Sequence, residues 1–187
     1  MAVTENNIKN EEVSKTEIRL CALERDDIDF LMKWENDEDV WKYSDTIAPL
    51  SRRILENYLE SYDADPFSAG QLRLMIRLTE ADNCLTCGIV DLYDISAINA
   101  HASVGIFITP ECRKQGIGKA ALSQLENYCR KVLGLRSLLA KIEESNTAST
   151  RLFSSAGYTL RGAIPGWIRN TFEWETLTLW TINLKEC

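Results

Sequence analysis

The chain has 187 residues, with 21 basic against 28 acidic side chains, a net charge of −7 and an apolar share of 45%. That length allows one domain with a sizeable core, and the acidic balance argues against a grip on the phosphate backbone of nucleic acid. No apolar run approaches the ~20 residues of a membrane span, so no membrane partner is expected.

The stretch from Met1 to Glu17 is polar and resembles neither a signal nor a transit peptide. Residues 1–16 are therefore expected to form a flexible tail ahead of a single domain over residues 17–187, and the cytoplasm is the expected address. Ile18 to Leu23 predicts a short strand. Asp26 can cap the helix that follows, whose Ile28, Leu31 and Trp34 share a face. The acidic run Glu35-Asn36-Asp37-Glu38-Asp39 breaks that pattern. Ser51 can cap a second helix carrying Ile54, Leu55, Tyr58, Leu59 and Tyr62 at helical spacing, and Asp63 to Gly70 is expected to be a loop.

Strands follow. Leu72, Leu74, Ile76 and Leu78 alternate with polar residues as in a half-buried strand, whereas Cys87 to Leu92 is the continuous apolar run of a central one. Asp94 to Ala100 predicts a hairpin loop, and Ser103 to Ile108 the next strand, ended by Pro110. The longest helix is predicted from Gly116 to Leu133, with Ala121, Leu122, Leu125, Cys129 and Val132 as its apolar stripe and Gly134 as its stop. Ser137 to Ile142 is another strand. A helix over Asn146 to Ala156 places Ala148, Leu152 and Ala156 four apart, and Tyr158 to Leu160 and Phe172 to Leu184 supply the last strands. The pattern is a mixed sheet with helices around it.

Cysteine chemistry adds little. Six cysteines are scattered without a disulfide framework, and Cys84-Leu85-Thr86-Cys87 stands alone in a chain whose one histidine is His101. A structural zinc needs four ligands, so ordinary reduced thiols and no metal are expected.

The most informative segment runs Val104-Gly-Ile-Phe-Ile-Thr-Pro-Glu-Cys-Arg-Lys-Gln-Gly-Ile-Gly-Lys-Ala-Ala-Leu122, a strand, a turn and a helix start. Gly116 and Gly118 carry no side chain that would block approach to the backbone. The amides of Gln115, Gly116, Ile117, Gly118 and Lys119 then meet the positive end of a helix, which suits a phosphate or pyrophosphate, with Arg113, Lys114 and Lys119 adding charge. A plain helix start is the simplest alternative. Gly116-x-Gly118-x-x-Ala121 also fits the dinucleotide fingerprint, but Thr109 to Gln115 separate it from its strand and no second βαβ half fits. A phosphate-loop motif is absent from the sequence.

Arg113-Lys-Gln-Gly116-Ile-Gly118 matches the R/Q-x-x-G-x-G/A signature of the GNAT superfamily of N-acetyltransferases. Asn146-Thr-Ala-Ser-Thr-Arg-Leu-Phe-Ser-Ser-Ala-Gly-Tyr158 resembles that family's downstream segment. Trp34-Glu-Asn-Asp37 and Gly88-Ile-Val-Asp-Leu-Tyr-Asp94 look like the branch containing spermidine and ribosomal-protein N-terminal acetyltransferases. The resemblance covers residues 17 to 184.

It implies an α/β (mixed α+β) fold. The sheet would be twisted and mostly antiparallel, of about seven strands, splayed between strands 4 and 5 and flanked by about four helices. It implies an acetyl-CoA-dependent enzyme that acetylates a primary amine, either a small polyamine-like molecule or a protein N-terminus, and it allows for a homodimer. Ile106, Phe107 and Ile108 would pair with the acetyl-pantetheine arm, one amide polarising the thioester carbonyl. The glycine turn would hold the pyrophosphate, and Asn146, Ser149 and Phe153 would border the arm. Relatives carry a glutamate base where Ser103 stands and a tyrosine acid where Phe153 stands. Neither replacement can move that proton at neutral pH, which leaves Glu35 as the expected base, with Asp91 or a relayed carboxylate as substitutes. A catalytically silent CoA-binding protein is the alternative those two positions leave open.

Overall fold

The computed structural model describes residues 17–44, 46–62, 65–80, 83–169 and 173–184; the tail expected over residues 1–16 lies outside them. Seven strands form one sheet: β1 (Glu17–Ala22), β2 (Gln71–Glu80), β3 (Asn83–Ser96), β4 (His101–Ile108), β5 (Ser137–Glu143), β6 (Thr159–Arg169) and β7 (Trp174–Asn183). Their spatial order is β1-β2-β3-β4-β5-β7-β6. Every neighbouring pair is antiparallel except β4 and β5, which run parallel because helix α5 (Ile117–Lys131) carries the chain back between them.

Two cores cover the two faces. On one, Ala121, Leu122, Leu125 and Cys129 of α5 pack with Phe153 of α6 (Thr147–Ser155) onto Val90, Leu92, Val104, Leu138 and Ile142. On the other, Leu31 and Trp34 of α1 (Ile28–Trp34) and Leu55 of α3 (Arg52–Glu60) pack onto Met75 and Ile89, with Phe107 against them. Helices on both faces explain why Met75, a gap in the alternating pattern of β2, is as buried as Ile76.

Local chemistry sets most boundaries as expected. Ser51 Oγ accepts from the Ile54 N–H, and Gly134 and Gly157 take the left-handed conformation (φ 66° and 97°) beyond the ends of α5 and α6. Some expectations fail. Asp26 caps nothing; the carboxylate of Asp27 receives the Glu24 N–H instead, at 2.9 Å. The stretch expected as a loop after Tyr62 contains a one-turn helix, α4 (Pro66–Ala69), capped by Asp65, and Asp37 likewise caps a short α2 (Glu38–Trp41). Val132 is 65% exposed, because α5 ends at Lys131 and the stripe rotates away from the sheet. Ala148 is exposed too, and α6 buries Phe153 with Leu152 beside it. The strand expected at Tyr158 to Leu160 runs on to Arg169, past Pro165, which an edge strand tolerates.

Candidate functional site

The parallel pair β4 and β5 is short. Its register runs from His101↔Ser137 to Ser103↔Leu139 and stops, although β4 continues to Ile108 and β5 continues to Glu143 beside β7. A wedge-shaped gap therefore opens along Val104–Ile108. Backbone polar groups alternate direction along a strand. The Thr109 N–H donates to Cys87 O at 2.8 Å, and a Cβ on Gly88 would lie 2.1 Å from Phe107 O, so the backbone of Phe107 faces β3. The groups aimed into the gap are those of Val104, Ile106 and Ile108. Of the three residues expected to offer amides there, Phe107 is turned away; its ring instead packs 5.6 Å from Trp34. Arg113 Nε donates to Ile108 O at 2.9 Å and ties the following turn to the rim of the gap.

That turn begins at a single 3-10 turn, Pro110–Cys112, and ends at Gly116, the N-cap of α5. Lys114 and Gly116 both adopt positive φ, 61° and 79°. Among the described residues no side chain caps α5, and its first intrahelical bond is from Ala120 N–H to Gly116 O. The N–H groups of Ile117, Gly118 and Lys119 thus have no intrahelical acceptor and meet the positive end of a 15-residue helix. The buried Ile117 side chain anchors the turn, while Arg113, Lys114, Gln115 and Lys119 are exposed around it. The two glycines serve different ends. A Cβ on Gly116 would meet nothing within 4 Å, so its place needs the conformation and leaves open space. A Cβ on Gly118 would lie 3.2 Å from Leu152 and 3.5 Å from Ile108, so its missing side chain lets α5 pack against α6 and β4.

At the far side of the gap, Asn146 caps α6, its Oδ1 accepting from the Ser149 N–H at 3.0 Å. Phe153 is 3% exposed and stacks edge-to-face on Tyr158, ring centres 4.9 Å apart. It is a core residue of the α5–α6 layer.

The opposite face of β3 and β4 carries the polar residues. Arg73 of β2 makes a two-pronged bond to Asp91 of β3, 2.8 and 3.0 Å, and its remaining Nη1 bonds Glu35 at the end of α1. All three are largely buried, beside Tyr58 and Tyr62. Burial works against the charge of Arg73, but Asp91 and then Glu35 more than offset it and raise its pKa. Burial pushes the Tyr58 hydroxyl up to about 12, so it is a neutral hydrogen-bonding group. One residue pair further along, Ser103 is 3% exposed and donates to Asp94 at 3.2 Å; the same Asp94 oxygen accepts from Lys141 of β5 at 2.7 Å. Glu35 and Asp91 thus meet at Arg73, whereas Ser103 has its hydroxyl committed. Sequence reasoning missed Arg73, Asp94 and Lys141. The available signals were Arg73 standing opposite Asp91 in a hairpin, and Lys141 as a charge set between the apolar Ala140 and Ile142 of a strand.

Among the described residues no three His, Cys, Asp or Glu side chains gather as a metal set, and no helix is long and apolar enough to cross a membrane. Cys84 is exposed while Cys87 is buried near Cys112, its thiol pushed up to about 12 by burial.

Comparison with known proteins supplies the family. The sequence model described as "Acetyltransferase (GNAT) domain" matches residues 17–159. Spermidine N(1)-acetyltransferase of Escherichia coli (strain K12) is 23% identical over 150 residues, covering 79% of this chain and 75% of that protein. The enzyme of the same name from Vibrio cholerae is 22% identical over 147 residues, 79% of this chain and 82% of its own. The crystal structure of the Vibrio cholerae spermidine N-acetyltransferase in complex with CoA and spermine superposes with a TM-score of 0.79 at 20% identity, covering 89% of this chain and 95% of that one. A sheet splayed between β4 and β5, a glycine turn leading into α5, and a family match over most of the length together place this chain among the GNAT acetyltransferases.

Proposed function

We propose that the chain transfers the acetyl group of acetyl-CoA to a primary amine of a cationic, polyamine-like acceptor. The observation that carries the reading is the β4–β5 pairing that ends at Ser103↔Leu139, directly beside a helix start with no side-chain cap. The gap offers backbone groups of Ile106 and Ile108 to an extended amide-bearing arm, and the open space at Gly116 fits a pyrophosphate against the amides of Ile117, Gly118 and Lys119. Asn146 and Ser149 border the other wall. Acetyl-CoA supplies an activated thioester; the residues supply position and charge.

An amide fixed at the gap, that of Ile106 or Ile108, would stabilise negative charge developing on the carbonyl oxygen, an effect worth about 3 kcal/mol where a single such donor has been removed. On the acceptor face, two carboxylates, Glu35 and Asp91, share one guanidinium, Arg73, leaving one negative charge in a half-buried, tyrosine-walled recess. Such a recess attracts an ammonium. Glu35 Oε1 is taken by Arg73, so the reading gives Glu35 the proton of the incoming amine through its other oxygen or a water. Relatives named for spermidine support the polyamine class.

Thiol release from acetyl-CoA, followed over a panel of amines, tests the proposal. Turnover of spermidine above that of neutral amines is expected, and falls with added salt. A second reading, a silent CoA-binding protein, draws on Ser103 and Phe153, both buried and neither a proton carrier. That protein would bind acetyl-CoA and release no thiol with any amine.

A further inference from the structure

Ala140 and Ile142 of β5 point into the α5–α6 core, so Lys141 between them points to the acceptor face. There its ammonium touches Asp94 Oδ2 at 2.7 Å and stands 5.4 Å from the centre of the Tyr93 ring. Tyr93 pairs directly with Ser103, the last residue of β4 that β5 still pairs with, and its ring edge lies 3.8 Å from where a Cβ on Gly105 would be. Ser103 donates to the same Asp94 oxygen and fixes it. A carboxylate backed by a hydroxyl, next to an aromatic face, is the constellation that recognises a primary ammonium. In this chain it is filled from within.

We infer that Lys141 is a specificity determinant of the acceptor face: its own ammonium occupies the seat formed by Asp94 and Tyr93 and so excludes a second ammonium of the acceptor. This inference rests on the proposed reading of that face as the amine side. The recess around Arg73 keeps one negative charge, whereas Asp94 is neutralised by Lys141. The chain as it stands thus favours acceptors that need one anionic contact over those that need two. The pairing is real but open to exchange, since the Lys141 side chain is 37% exposed. Lys141 also holds the Asp94 carboxyl below its ordinary range, as expected of a contact that keeps the carboxylate ionised and ready for any ammonium.

The test uses the full chain, with butylamine and putrescine as acceptors of equal carbon length carrying one and two amines. Lys141→Met keeps the apolar stem and removes the charge. The ratio of kcat/KM for putrescine over butylamine should rise roughly two- to fivefold, the range of a part-exposed ion pair. Adding Asp94→Asn to Lys141→Met should return the ratio to the parental value. Calorimetry of putrescine alone should show tighter binding to Lys141→Met than to the parent, lost again in the double variant. An unchanged ratio, or a gain that survives Asp94→Asn, overturns the inference. If neither amine is turned over by any of the proteins, the calorimetric comparison alone decides the role of Lys141; the acetyltransfer reading itself fails only if spermidine releases no thiol either.

Discussion

Glu126 gives the chain a pH-dependent weakness far from the gap. It lies on the α5 face toward β7, in a cleft of about 280 Å³ shared with Arg130, Asn127 and Ile182. Its Oε1 is buried without a hydrogen-bond partner among the described residues, and the buried Tyr158 hydroxyl is near enough to interact with the carboxyl. Burial pushes the Glu126 carboxyl up to about 7, with Tyr158 pulling the other way; Cys129 and Tyr158, the titratable neighbours, are both raised, chiefly by burial. The folded chain therefore holds this proton more tightly than the unfolded chain, whose glutamate titrates near 4.5. Between those values the folded state binds more protons, so stability falls as pH rises from about 4.5 to about 7 and stays reduced above. At 1.36 kcal/mol per pH unit the gap amounts to at most ~3.4 kcal/mol, and because the carboxyl is only partly buried, solvent screening brings it to roughly 1 kcal/mol. Glu126→Gln keeps the shape and removes the titration. Urea unfolding of both proteins at pH 4.5 and pH 8 should give equal stability at the lower pH and a Gln variant more stable by roughly 1 kcal/mol at the higher. A difference of the same size at both pH values would refute the assignment.

Gly118→Val should cost about 1–3 kcal/mol by forcing Leu152 and Ile108 aside, whereas Gly116→Ala should cost about 1 kcal/mol from its backbone angle alone; thermal unfolding of both variants separates packing from conformation. Gly88→Ala would drive a methyl into the Phe107 carbonyl, so a loss of about 3 kcal/mol or more is expected, read as lost soluble yield or lost strand signal in circular dichroism. Arg73→Met leaves Glu35 and Asp91 facing each other half-buried; unfolding should be easier by roughly 2–3 kcal/mol, and adding Asp91→Asn to it should recover part of that loss.

Much of the site was written locally. A glycine with nothing around it and a φ of 79° can be anticipated, because the turn that starts α5 is a short-range problem of backbone sterics. The strands that border the gap, the helix that follows and the cap at Asn146 obey the same short-range rules. Composition alone argued for one domain and against a grip on nucleic acid, since both follow from sums over the chain.

Contacts between distant segments had to come from the fold. Gly118 reads in sequence as a partner of Gly116 in one phosphate-binding turn, yet it is small because Leu152, 34 positions later, packs against it. Glu35 looks like a solvated loop residue until α1 is laid over β2 and brings Arg73 to it. Which amides face the gap depends on the pairing of β4 with β3, and that pairing turns Phe107 away. Periodicity names the residues that can share a face; only the register of one element on another decides which atoms meet, because that choice belongs to the packing of the whole sheet.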